Sequence, residues 1–145
     1  MIVIHPKDQT TSFLKEIYQE KKDVTLIDET WNNRNIREAR GSSPKNEIIM
    51  MLGHGYNGGM YAPYGGRQFA REIINGELVY LLREHTCIGV WCYANKFAER
   101  YRLKGLFTGM IISEAQEAYD LGVDIEGEDI GKLNTQFAKD LEYCI

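Results

Sequence analysis

The sequence predicts an α/β fold, a three-layer α/β/α sandwich built around a mostly parallel sheet, and three observations carry that expectation. Apolar, β-branched runs recur along the chain without polar alternation, as in strands buried on both faces. Segments with helical spacing separate those runs, the pattern of repeated β-α-β crossovers. The 145 residues are 43% hydrophobic and 26% charged, and at that length roughly two-thirds of the unfolded surface can be buried. Residues 1–145 therefore read as a single domain with one substantial core.

The strand runs are Ile2 to His5, Val24 to Ile27, Ile48 to Leu52, Ile88 to Trp91 and Phe107 to Ile112. Between the first two, Phe13, Leu14, Ile17 and Tyr18 follow the i, i+3, i+4 interval behind the capping candidates Thr11 and Ser12, with Lys15, Glu16, Glu20 and Lys21 opposite. Leu78 to Arg83 follows Asn75-Gly76, and Asn95 to Leu103 starts just after Cys92 and stops before Gly105. The last helix, Asp129 to Glu142, carries Ile130, Leu133, Phe137 and Leu141 on one stripe. One stretch breaks the alternation. Gly53 to Gly66 holds six glycines and three tyrosines, which reads as a mobile loop or small hairpin outside the sheet.

Charge and composition narrow the function. A net charge of −4 and a pI near 5.4 argue against a domain that grips a nucleic-acid backbone, which needs clustered Lys and Arg. The cluster Arg34, Arg37 and Arg40 is interrupted by Glu38 and reads as a solvated face. No window approaches the about 18 apolar residues a membrane span requires, and the amino-terminal run Met1 to Ile4 is too short for a signal-peptide core. Cys87, Cys92 and Cys144 are odd in number and form no Cys-x-x-Cys pair, so a reducing, cytoplasmic setting is expected.

Chemistry is expected beyond the carboxyl ends of the strands. Ile48 to Leu52 delivers His54 between Gly53 and Gly55, glycines that permit a sharp turn and close approach of a ligand. Ile88 to Trp91 delivers Cys92 just before a helix. On adjacent strands, imidazole and thiol would share one sheet edge. A thiol near pKa 8.5 is mostly protonated at neutral pH, and a histidine and a helix amino terminus both favour the thiolate. The amides of Gly55 and Cys92 would then converge on the oxygen of an attacked carbonyl. Asp28 and Glu29 after the second strand, and Ser113 and Glu114 after the fifth, are candidates to orient the imidazole or bind a basic substrate group. Of these, Asp28 and Glu114 are the candidates for binding a basic substrate group. Ser113-x-x-Gln116 reads as a capping box. His5 and His85 read as structural, as do Cys87 and Cys144, since free cysteine packs as a small hydrophobe.

Leu52-Gly53-His54-Gly55 and Gly89-Val90-Trp91-Cys92, with His54 and Cys92 38 residues apart, resemble the two motifs of the caspase-fold cysteine peptidases, which include caspases, metacaspases, legumains, gingipains and separases. The resemblance covers residue 1 to about Ala118. It implies a caspase-like, flavodoxin-like strand order of 2-1-3-4-5, His54 as general acid/base, Cys92 as nucleophile, and the Gly55 and Cys92 amides as oxyanion hole. It also implies a peptide or protein substrate and no metal or organic cofactor. Many members place Ala, Gln or Asp where this chain has Trp91, a bulky neighbour for the pocket.

Other readings stay open. A catalytically inactive domain of the same fold would use the tyrosine-rich Gly53 to Gly66 stretch as a contact surface, since exposed Tyr is a common interface residue. An unrelated flavodoxin-like domain would hold His54 and Cys92 far apart. A cysteine-phosphatase loop requires Arg six residues after the cysteine, where Ala98 stands. A Walker loop is absent. Gly53 to Gly58 formally matches Gly-x-Gly-x-x-Gly, but no helical pattern begins there.

Overall fold

The computed structural model describes residues 1–64 and 67–145. Five short strands, β1 (Ile2–Ile4), β2 (Thr25–Ile27), β3 (Ile49–Leu52), β7 (Thr86–Val90) and β8 (Lys104–Phe107), form one parallel sheet in the order β2-β1-β3-β7-β8. Between β3 and β7 the chain builds a second, antiparallel sheet from β4 (Gly55–Tyr56), β5 (Gly59–Tyr64) and β6 (Arg67–Ile74). The glycine- and tyrosine-rich stretch is therefore mostly ordered strand, turning at Asn57-Gly58. Its last two residues, Gly65 and Gly66, lie outside the described residues.

Successive strand residues face opposite ways, and the sheet has a core on each side. Ile2, Ile4, Ile49, Met51 and Cys87 pack against Ile36 of α1 (Asn33–Gly41), Leu81 and Leu82 of α2 (Val79–Leu82), and Ala94 and Phe97 of α3 (Ala94–Tyr101). Val3, Met50, Leu52, Ile88 and Val90 pack against Leu14, Ile17 and Tyr18 around a 3-10 segment (Ser12–Ile17), and against Ala138 and Leu141 of α5 (Ile130–Cys144). Each such aliphatic or aromatic side chain stabilises the fold by about 1.5–3 kcal/mol on burial. The sheet is covered on both faces, and no helix of the described residues is long and apolar enough to cross a membrane.

Several expectations are corrected in detail. The fifth strand is Lys104–Phe107, not Phe107 to Ile112; the apolar run that suggested it is a loop before α4 (Ala115–Asp120). Gly105 explains why an unpromising Lys-Gly-Leu-Phe segment pairs here. At φ +135°, a Cβ on it would lie 1.8 Å from the carbonyl oxygen of Cys87, so only glycine lets β8 close on β7. The arginine cluster belongs to α1, which is capped by a reciprocal Asn32–Asn35 box and buries only Ile36. The first predicted helix is a 3-10 turn. In α5 the buried stripe runs through Ala138 and Leu141, and Leu133 lies exposed. The predicted Ser113 box is replaced by Glu117, whose carboxylate accepts from both the amide and the hydroxyl of Ser113.

Candidate active site

Sheet register sets the site. Leu52 of β3 pairs with Val90 of β7, and His54 and Cys92 each follow two residues beyond that pair. Both side chains line one cavity of about 530 Å³, together with Thr10, Gly55, Tyr93, Met110, Ser113, Glu114, Gln116, Glu117, Asp120 and Leu121. The two side chains therefore share one cavity at adjacent strand ends. Glu114, Glu117 and Asp120 give the cavity an acidic wall along α4, and among the described residues none that lines it is Lys or Arg.

His54 leaves β3 through Gly53, whose amide donates to the carbonyl of Val90 at 3.0 Å, so the exit from β3 is tied to β7. The His54 carbonyl accepts from the Tyr61 amide at 2.8 Å. Hydrogen-bonded and non-hydrogen-bonded pairs alternate in an antiparallel ladder. Gly55, opposite Met60, therefore occupies the position at which the N–H points away from β5. A side chain on Gly55 would collide with the Trp91 ring at 2.3 Å and the Gly59 carbonyl at 2.4 Å.

Trp91 does not obstruct the cavity. It is fully buried, packs edge-on against Phe97 and Phe107, and donates from Nε1 to the Tyr56 carbonyl at 3.0 Å. The indole thus joins the antiparallel sheet to the parallel one, directly beneath Gly55 and Cys92. After Cys92 the backbone turns through Tyr93, which is left-handed at φ 65°, into α3.

The surroundings of Cys92 differ from the expectation. The first turn of α3 already has acceptors: the Tyr93 amide donates to the Gly109 carbonyl at 2.7 Å and the Asn95 amide to the Thr108 carbonyl at 2.9 Å. The Cys92 thiol itself donates to the Ile111 carbonyl at 3.1 Å. Burial pushes the thiol above its ordinary range, and the nearby Glu117 carboxylate acts in the same direction. The helix terminus therefore does not leave Cys92 as a thiolate at neutral pH.

The partners of His54 come from the loop after β1, which the sequence reading passed over. Its Nε2 lies 2.7 Å from the Thr10 hydroxyl and 3.4 Å from Asp8 Oδ1. The same Asp8 oxygen accepts from the Thr10 amide at 2.8 Å and from the Thr10 hydroxyl at 2.5 Å. An Asp-x-Thr turn at the carboxyl end of a strand beside β3 was the available signal, and it reads as a simple Asx turn. Below this loop, buried His5 holds the Tyr18 hydroxyl at 2.9 Å and faces the Thr11 hydroxyl at 3.4 Å.

Of the substrate-binding candidates, Glu114 lines the cavity. Asp28 does not: it follows edge strand β2, where its carboxylate accepts from the amide and hydroxyl of Thr30, contacts that hold it below the usual carboxylate range. Cys87 is buried, with its thiol pushed up to about 12, and Cys144 is exposed on α5. No protein-family model, curated protein or solved structure matches the chain.

Proposed function

We propose that the chain is a caspase-like cysteine hydrolase that cleaves peptide bonds with His54 and Cys92. The observation that carries this reading is the matched exit of both residues, two positions past Leu52↔Val90, into one open cavity. The order of the parallel strands, taken without the antiparallel insert, supports the expected 2-1-3-4-5 arrangement. In the reaction, the Cys92 proton passes to His54 as the sulfur attacks the substrate carbonyl carbon. The resulting oxyanion takes hydrogen bonds from the Gly55 and Cys92 amides. His54 then protonates the leaving amine as the C–N bond breaks, and water, deprotonated by His54, hydrolyses the thioester.

A thiol held protonated by burial and by Glu117 makes the histidine obligatory as base. The Ile111 carbonyl must also release the thiol before attack. The acidic wall of Glu114, Glu117 and Asp120 suits a substrate with a basic residue at the cleaved bond. A cytoplasmic setting suits a working free thiol.

Incubation with a mixed peptide library, read by mass spectrometry, tests the reading: new termini should appear after basic residues with the wild type and not with Cys92→Ala. A second reading, an inactive domain used for protein binding, is favoured by the thiol's bond to Ile111 and its raised pKa. Identical spectra from both proteins would select it.

A further inference from the structure

The contacts around Thr10 constrain the protons more tightly than the distances alone suggest. The Thr10 hydroxyl carries one proton and touches two groups, Asp8 Oδ1 at 2.5 Å and His54 Nε2 at 2.7 Å. A carboxylate has no proton to give. If Thr10 donated to His54, its oxygen would face the Asp8 carboxylate with no hydrogen between them. Both contacts are hydrogen bonds only when Thr10 donates to Asp8 and accepts from Nε2–H. The 3.4 Å approach of Nε2 to the same Asp8 oxygen favours a proton at that position as well.

We propose that Asp8 and Thr10 are positioning residues that hold the His54 ring proton on Nε2, making Nδ1 the basic nitrogen that takes the proton of Cys92. The catalytic consequence rests on the reading of His54 and Cys92 as the reacting pair; the tautomer does not. The second nitrogen of a histidine ring is set by the hydrogen bond made by the first. Asp8 acts through Thr10 rather than only by direct contact, and its carboxylate also stabilises the imidazolium formed when the thiol is deprotonated. The loop has its own anchor, since His5, the residue after β1, and Thr11 meet at 3.4 Å.

Long-range 1H–15N correlation spectra of the protein labelled with 15N-histidine read the tautomer directly, with His54 assigned by its absence from His54→Gln. The neutral wild-type ring should show the Nε2–H pattern. Thr10→Val should lose that preference, and Thr10→Ser, which keeps the hydroxyl, should retain it. Turnover of a cleaved peptide should fall roughly 10- to 100-fold in kcat for Thr10→Val with KM little changed, part of the factor general acid–base catalysis supplies, and recover in Thr10→Ser. An Nδ1–H pattern in the wild type would overturn the assignment without any variant. So would a Thr10→Val ring that keeps the Nε2–H pattern. An Nε2–H ring that responds to Thr10→Val in a protein with inert Cys92 supports the positioning role and removes the peptidase reading alone.

Discussion

Acid should loosen this fold through one buried imidazole. His5 closes β1 with 5% of its surface exposed. Burial, and secondarily the charge of Lys15, bring its pKa from 6.5 down to about 4. A group whose neutral form is favoured in the folded state leaves the unfolded chain holding more protons between those two values. Stability is therefore complete above pH 6.5 and is lost as pH falls toward 4. The full shift corresponds to about 3.4 kcal/mol, of which about 2 kcal/mol is lost between pH 7 and pH 5. That is a large share of a typical 5–15 kcal/mol domain stability. Carboxylates contribute in the same range, so the informative quantity is the difference from His5→Gln, which keeps a polar group near Tyr18 and Thr11 but does not ionise. Urea unfolding followed by tryptophan fluorescence, with Trp91 buried as reporter, supplies it. The variant should be less stable at pH 7 by about 1–3 kcal/mol, and the wild type should then lose about 2 kcal/mol more than the variant on going to pH 5. Parallel losses in the two proteins would refute the reasoning.

Three further substitutions probe other parts of the account. Gly55→Ala places a methyl against Trp91 and the Gly59 carbonyl and should destabilise by about 1–3 kcal/mol, seen as a lower melting temperature; an unchanged one would show the two sheets free to separate. Glu117→Gln keeps an acceptor for Ser113 but removes a charge that, after burial, helps raise the Cys92 thiol, so iodoacetamide should alkylate Cys92 faster at pH 7.5 in the variant than in the wild type. A slower reaction would reverse the assigned sign. Arg102 ends α3 in a left-handed conformation at φ 55°; Arg102→Gly should raise stability by about 1 kcal/mol, and a lower urea midpoint would contradict that.

Burial governed how much of this was legible in the sequence. β1, β3 and β7 are flanked by strands on both sides, so their apolar runs announce them and place His54 and Cys92 at neighbouring ends. β8 lies at the sheet edge with Lys104, Gly105 and Leu106 exposed, and an edge strand needs no continuous apolar run. The apolar Phe107 to Ile112 instead bends over Cys92, supplying the carbonyls of Thr108, Gly109 and Ile111. α1 went unread because Ile36 is its one buried residue, although Asn32 and Asn35 spelled its cap. Asp8 and Thr10 sit in a polar turn after His5-Pro6, and only the β1–β3 pairing brings them to His54.

The central claim is that Cys92 reacts because His54 takes its proton. The rate at which a peptidyl acyloxymethyl ketone carrying a basic residue modifies Cys92 at pH 7.5, measured by peptide mass spectrometry in the wild type and in His54→Ala, addresses it most directly. Exposed Cys144 serves as the control for intrinsic thiol reactivity. The account predicts wild-type labelling confined to Cys92 and a loss of about 100-fold or more in the variant, with Cys144 unchanged. Equal rates at Cys92 in the two proteins, or labelling of Cys144 in preference to Cys92, would contradict it.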